Sequence, residues 1–324
     1  MTNKSSSGRR TIKKESNEQV IEQVRQLAWT GHHAKAIDLA AQALSDAGRV
    51  GSRTAPTKMD LLDLRAESYI AQGKLDLAAK DASAMMKLAK TVKKPALIAQ
   101  ALNRKVDIQF WLSEYQSALR TALSATKIKH SSPKVLAESL FYLAEAQNTA
   151  GQYTKAVDTA QKAIVIFQKA GEISSAGRAY LQLARAYYNL RRIDDSRQAS
   201  QRALELCQSV GDQYGIGEAQ SRFGITEIYI AKRIEQNQQA YWAYEAAGYV
   251  IKKTFRLGTI AYNYYQLGLF HRARRMSSEI VEILRTQEFK AGLTFQLGNL
   301  LGYEIIVGML DSARVHLQEY AELV

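Results

Sequence analysis

The chain has 324 residues, 46% of them hydrophobic, with only three prolines, one cysteine and a net charge of +13. That apolar share lies well above the disordered range and fits a globular chain with one large domain or two ordinary ones. A lone cysteine excludes an internal disulfide, and no apolar run approaches the length needed to cross a bilayer. The chain therefore reads as a cytosolic protein with no membrane association.

Ala, Leu, Gln, Lys, Arg and Glu dominate, and these residues lose little side-chain freedom in a helix. Valine and isoleucine never alternate with polar residues over a strand length, so the expectation is an all-α protein. The N-terminus, MTNKSSSGRRTIKKE, is polar and basic with no apolar core. It is no secretory signal, and residues 1–16 are expected to be a disordered basic tail.

From residue 17 onward, one pattern recurs about every forty residues. Phe141–Ile166 (FYLAEAQNTAGQYTKAVDTAQKAIVI) and Leu181–Leu206 (LQLARAYYNLRRIDDSRQASQRALEL) place small and aromatic residues at matching offsets. Anchoring on a small residue early in the second helix gives Ala36, Ala78, Ala118, Ala156, Ser196, about Gln236, Ala273 and Ala313. Five residues before each anchor stands a turn residue: Gly31, Gly73, Gly151, Gly268 and Gly308, with Ser113, Arg191 and Ala231 in the other three copies. Glycine permits a reversal at positive φ, so each unit folds as an antiparallel helix hairpin. Small residues at fixed positions let helices approach closely, and stacked copies share one core. The expectation is an α-solenoid of about eight hairpins over 17–324, divisible into blocks 17–210 and 211–324.

Several local features have simple structural readings. Cys207, beside Leu204 and Leu206, is expected to be a buried thiol. His32 and His33 fall in the first turn and are expected to face solvent. No histidine pairs with another ligand at a metal-binding spacing. The GxG of YGIGEAQSRFG follows a helix and a polar turn, without the strand that a phosphate loop requires, so glycines opening a helix hairpin explain it. Asp194 and Asp195 open a second helix, where they complement its dipole. No catalytic constellation, metal site or cofactor site stands out, so a non-enzyme is expected.

The pattern resembles the tetratricopeptide repeat in a lengthened form of about forty residues. Tyr180, Leu183, Ala184, Tyr187, Ser196, Ser200 and Ala203 sit at its signature positions, as do Leu140, Leu143, Ala144, Gly151, Ala156 and Ala163. The resemblance implies a protein-interaction scaffold whose first helices line a concave groove for a peptide or helix. By position, that groove takes Asn103, Arg104, Asp107, Phe110 and Trp111 from the third copy and Phe141, Tyr142, Glu145 and Asn148 from the fourth. The fifth contributes Arg178, Gln182, Arg185, Tyr188 and Asn189, and the sixth Arg222. This aromatic and arginine-rich mixture has the composition of binding hot spots.

The Lys and Asn set of the family's carboxylate clamp is missing, and of its asparagine ladder only Asn299 has a counterpart. Long-form repeats of this kind resemble the sensor segments of bacterial signalling proteins, nucleotide cyclases among them, and Val24–Ser45 resembles cyclase-associated chains. The positive charge implies an acidic protein or peptide partner. Acid-free basic stretches at 82–106, 115–137 and 246–278 keep a second reading open, RNA or DNA binding. The last copy ends without a polar cap, which implies either dimerisation there or a chain cut from a longer protein.

Overall fold

The computed structural model describes residues 5–47, 51, 53–287 and 289–324. Among them are sixteen α-helices and no strand, arranged as eight consecutive hairpins. The first four hairpins are Ser5–Trp29 and His33–Asp46 (α1, α2), Ala55–Ala71 and Leu75–Val92 (α3, α4), Pro95–Trp111 and Tyr115–Thr126 (α5, α6), and Pro133–Thr149 and Tyr153–Lys169 (α7, α8). The last four are Ile173–Asn189 and Ile193–Val210 (α9, α10), Gln213–Thr226 and Ile230–Ala246 (α11, α12), Val250–Gln266 and Phe270–Arg285 (α13, α14), and Lys290–Ile306 and Leu310–Leu323 (α15, α16). Residues 5–16, where composition led to an expectation of disorder, are the first turns of α1. The part of α1 that packs begins at Val20.

The three prolines all fall in first turns, of α3, α5 and α7, where a missing N–H costs nothing. Ser132 caps α7 and Asp212 caps α11, each accepting a backbone N–H of the first turn. Three residues join the helices within each hairpin. In seven of the eight hairpins the middle residue is left-handed: Gly31, Gly73, Ser113, Gly151, Arg191, Gly268 and Gly308. These are the turn positions expected from the repeat.

The sixth hairpin is built differently, and there the expected register is wrong by three residues. Ala231 and Gln236 both lie within α12. The turn is centred on Ile228, whose β-branched side chain disfavours positive φ. Glu227 takes an extended conformation instead, and its carboxylate accepts the N–H groups of Ile228 at 2.9 Å and Tyr229 at 3.0 Å. The anchor position, fourth in the second helix, is Arg233, and the next buried position is Asn237.

Alanines form the seams between helices. Ala36, Ala40, Ala78, Ala118, Ala122, Ala156, Ala160 and Ala163 are fully buried, so adjacent helices meet with little side chain between them. Where a second helix carries something larger, the neighbouring first helix carries glycine. A Cβ on Gly224 would lie 2.7 Å from Asn237, one on Gly217 would lie 2.9 Å from the Tyr244 ring, and one on Gly215 would lie 2.4 Å from the Cys207 sulfur. The GxG segment is thus packing inside α11. Cys207 is buried, and burial pushes its thiol up to about 12.

The stack completes a superhelical turn and meets itself. Gly31, in the first hairpin's turn, packs against the backbone of Gly248 in the α12–α13 connection. Ala71, at the end of α3, joins a core cluster with Ala240, Tyr244, Ala247 and Tyr249. Phe289, before α15, packs on the cluster between α3 and α4. The last hairpin leaves Ile305, Leu310, Val315 and Leu317 largely exposed.

Arg191 holds φ 62° in a turn where the other copies favour glycine. Arg191→Gly is expected to stabilise the chain by about 1 kcal/mol in denaturant unfolding, through relief of left-handed strain.

Candidate functional site: a charged cavity inside the superhelix

The first helices face inward, and because the stack meets itself their faces surround a partly open cavity of about 780 Å³. That volume falls in the range of ligand sites, ~300–1,000 Å³. The wall follows the helix period. The sixth, tenth and thirteenth residues of the first helices lie on one face, three or four apart. They are Asp60, Leu64 and Glu67 in α3, Gln100, Arg104 and Asp107 in α5, Glu138, Tyr142 and Glu145 in α7, and Arg178, Gln182 and Arg185 in α9. In α11 the sixth position is Glu218 and the tenth Arg222.

Of the residues expected in the groove, the cavity brings together Asn103, Arg104, Asp107, Phe110, Trp111, Phe141, Tyr142, Glu145, Arg178, Gln182 and Arg185. Four others do not line it. Asn148 is buried between helices and donates to the Gln182 carbonyl at 2.9 Å. Asn189 is exposed and donates to the Arg185 carbonyl of its own helix. Tyr188 falls on another face of α9, and Arg222 stands behind the lining, beside Glu218. The expectation stopped at the third to sixth copies. The wall continues into the first two through Glu22, Arg25, Asp63 and Glu67, and into the seventh through Lys252, Phe255 and Arg256. The same helix positions carried one hairpin further would have found Asp60 and Glu67.

The lining is not the basic surface that net charge implies, since nine carboxylates stand against seven cations. Two arginines are fully engaged. Arg104 reaches Asp63 at 2.6 Å and Asp107 at 2.7 Å, with Glu67 at 3.9 Å. Arg178 makes a two-pronged pair with Asp212, at 2.8 and 2.9 Å, and lies 4.8 Å over the Tyr214 ring. Lys252 bonds Glu218 at 2.6 Å and lies 5.4 Å from the Trp111 ring. Burial alone would raise the Glu218 carboxyl, but Lys252 and Arg222 hold it down at about 2. Two carboxylates have no hydrogen bond or ion pair among the described residues. Burial, with Asp63 nearby, pushes Glu138 up to about 8, and burial pushes Glu145 to about 7 against the attraction of Arg185.

One imidazole sits at the centre of the closure contacts. His33, expected to face solvent, is buried because the sixth and seventh hairpins cover the first turn. Its Nε2 donates to the Ala247 carbonyl at 2.7 Å, its Nδ1 lies 3.3 Å from the Ser68 hydroxyl, and the Tyr249 ring meets it edge-on. His32, next to it, is exposed. Around the same junction, Tyr249 donates to Glu67 at 3.5 Å, and Arg178 lies 3.6 Å from the same carboxylate.

Among the described residues no group of three His, Cys, Asp or Glu side chains is arranged to hold a metal ion, and no helix is long and apolar enough to cross a membrane.

Comparison with known proteins agrees with this architecture. Residues 138–169, the hairpin of α7 and α8, match the tetratricopeptide repeat family. A Rap protein complexed with Competence and Sporulation Factor superposes with a TM-score of 0.60 at 12% identity, over 95% of this chain and 98% of that one. The APC/C hetero-tetramer Cut9-Hcn1 gives 0.58 at 12% identity, over 94% and 52% of the two chains. A signal-transduction ATPase with a tetratricopeptide-repeat sensor from Pyrococcus horikoshii gives 0.55 at 14% identity, over 89% and 45%. The chain thus spans about half the length of the latter two. No curated protein matches. The described residues thus form an α-solenoid of eight hairpins with the fold of tetratricopeptide-repeat proteins, one hairpin of which matches that family's repeat.

Two predictions follow from the charges. Burial lowers the His33 pKa below its ordinary 6.5, against the opposing pull of the Ala247 carbonyl and Glu67. An opened or unfolded chain therefore takes up the proton first as pH falls, so the closure is fully held above pH 6.5 and weakens below it. Hydrogen exchange at residues 247–249, corrected for intrinsic rate, is expected to be faster at pH 5.5 than at pH 7.5, and His33→Ala should abolish the difference. For Glu138 the raised carboxyl means that the folded state binds a proton the unfolded state has released, so stability falls as pH rises from 4.5 through about 8. Glu138→Gln is expected to stabilise the protein by about 1–2 kcal/mol at pH 8.5 and not at pH 4, measured by thermal unfolding.

Proposed function

We propose that the chain is a protein-interaction scaffold that takes a short extended peptide segment of a partner inside the superhelix. The observation that carries this reading is the wall itself. Its three rows of side chains are mostly charged, with aromatic rings such as Trp111, Phe141 and Tyr214 beside them, and they include the carboxylates of Glu138 and Glu145, which have no hydrogen bond or ion pair among the described residues. A curved wall that surrounds about 780 Å³ suits an extended segment better than a helix, whose diameter alone is about 10–12 Å.

A sensor or regulatory role in bacterial signalling is the finer reading. It is supported by likeness of fold, over nearly the whole of both chains, to a Rap protein complexed with Competence and Sporulation Factor, and by likeness to the sensor-bearing ATPase. Nothing favours a nucleotide cyclase over other outputs. Binding of nucleic acid through the basic surface has weaker support, because Lys252 and Arg256 of the 246–278 stretch are committed to the cavity wall.

The test is capture of a partner on immobilised protein. Tyr142→Ala and Arg185→Glu are expected to lower capture at least about tenfold while leaving the helical circular dichroism unchanged. Undiminished capture by both variants contradicts the groove. Oligonucleotide binding that falls by roughly one log unit per log of salt for each phosphate contact favours the nucleic-acid reading instead.

A further inference from the structure

In a stack of hairpins the three-residue turns all lie on one edge, and the connections between hairpins lie on the other. The closure uses up part of each edge. The first two turns meet the chain where α12 and α14 give way to their connections, and the approach is too close for side chains. A Cβ on Gly31 would lie 2.5 Å from the Ala246 carbonyl oxygen, and one on Gly73 would lie 3.0 Å from the Gln287 side-chain oxygen. Hairpins six to eight therefore direct their connections toward the first two hairpins and their own turns outward, at the free end of the superhelix. Arg233 donates to the Gln266 side-chain oxygen at 3.0 Å, and the Tyr265 and Tyr303 rings lie 5.4 Å apart, which sets these three turns side by side.

The outward turns differ from the others in chemistry. Thr30-Gly31-His32, Gln72-Gly73-Lys74 and Ala150-Gly151-Gln152 are polar or small, whereas the outward row reads Glu227-Ile228-Tyr229, Leu267-Gly268-Leu269 and Val307-Gly308-Met309. Ile228 and Tyr229 are 79% and 66% exposed, and Leu267, Leu269 and Met309 are exposed as well. Ile228 stands where the other seven copies use a left-handed residue, and it buries almost nothing, so folding alone does not account for it. Cations flank the row. Lys232 and Arg233 open α12, and His271, Arg272, Arg274 and Arg275 open α14. A helix N-terminus favours acids instead, as Asp76 in α4 and Asp194 and Asp195 in α10 illustrate. Lys232, Arg272 and Arg275 form no ion pair among the described residues. Of the nearby acids, Glu227 is spent on the N–H groups of its own turn, and Asp311 is exposed beside the eighth. An open depression of about 580 Å³ adjoins the seventh turn, lined by Leu269, Phe270, Met276, His271, Arg272 and Arg275, with Glu279 as its one carboxylate.

We propose that this row of turns docks on the surface of an anionic lipid bilayer. Ile228, Tyr229, Leu267, Leu269 and Met309 enter the headgroup region, and Lys232, Arg272 and Arg275 meet lipid phosphates. Apolar side chains and a tyrosine ring at headgroup level, backed by lysine and arginine, are the chemistry of a peripheral membrane contact. Such a contact needs no membrane-spanning helix, so the expectation of no membrane association, which rested on the lack of a long apolar run, does not bear on it. Other occupants fit less well. A second copy stacked end to end would bring connection backbone against this row, and within the chain that junction is made by Gly31 and Gly73, where Ile228 and Leu267 would project. Bases of a nucleic acid stack on aromatic rings, and Ile228, Leu267, Leu269 and Met309 offer none. The proposal is independent of what the cavity holds.

The test is co-sedimentation of the full chain with vesicles of phosphatidylcholine alone or mixed with phosphatidylglycerol, at low and high salt. Binding to the mixed vesicles is expected to exceed binding to phosphatidylcholine at least about tenfold at low salt, and to fall as salt rises. Arg272→Gln with Arg275→Gln is expected to weaken it about fivefold for each charge removed. Ile228→Ser with Leu267→Ser changes no charge and is expected to weaken it about tenfold at either salt. Tyr229→Ser alone should weaken it in the same direction. Lys87→Gln with Lys90→Gln, which removes equal charge from exposed positions on α4, should bind as the wild type does. All these side chains are exposed, so the unfolding temperature is expected to stay unchanged. Absence of binding to the mixed vesicles overturns the proposal. Full binding by both serine variants overturns it too, because the contact is then charge alone. An equal loss in the α4 variant also overturns it, because the attraction then belongs to the whole surface. Self-association that the serine variants abolish, without vesicle binding, gives the row to a second copy of the chain instead.

Discussion

The contact of the stack with itself sets the physics of everything inside it. A solenoid of this length could present an open concave face, on which charges are solvated and individually worth little. Here the first two hairpins rest on the connection between the sixth and seventh, through Gly31 against Gly248 and His33 between Ser68 and Ala247. The inner face becomes an interior. Carboxylates and guanidiniums on it must pair, shift their protonation or await a ligand, and all three outcomes are present. Arg104 and Arg178 pair, Glu138 and Glu145 shift, and Arg185 and Arg256 have no carboxylate in ion-pair reach among the described residues.

This arrangement also explains an apparent mismatch between net charge and site. The chain carries +13 overall, yet the inner wall has more carboxylates than cations. Much of the positive charge is spread over outward positions, such as Lys87, Lys90 and Lys93 at the end of α4. There it favours the helix C-terminus and solubility, and it says little about what the interior prefers. The interior sorts its charges by sector, which the sum over the chain does not reveal.

Much of the fold was legible in the sequence because each hairpin repeats the same steric solution. A small residue where two helices touch and a left-handed residue at the corner can be read from any copy, and even Ser113 and Arg191 were placed at the right corners by spacing alone. The sixth copy escaped because it solves the same packing problem with the sizes exchanged. Its second helix carries Asn237 and Tyr244, and its first helix yields space through Gly224 and Gly217. A pattern anchored on a small residue at the fourth position of the second helix finds Arg233 there. The groove was legible for the third to fifth copies, whose rows repeat at helix spacing. The burial of His33 and the inclusion of the seventh hairpin were not, since both follow from the pitch of the whole stack, which no single repeat encodes.

Asp212 ties two levels of this organisation together. It sits in the two-residue connection between α10 and α11, caps α11 through the Gly215 N–H at 3.0 Å, accepts from Ser174, and holds the Arg178 guanidinium by two bonds. The start of one helix and the orientation of a wall residue on another thus share a single carboxylate that does not itself line the cavity. A chain built this way can have its lumen re-tuned by sequence drift at a linker. Such a change would leave the residues that touch a ligand intact while redirecting the guanidinium among them.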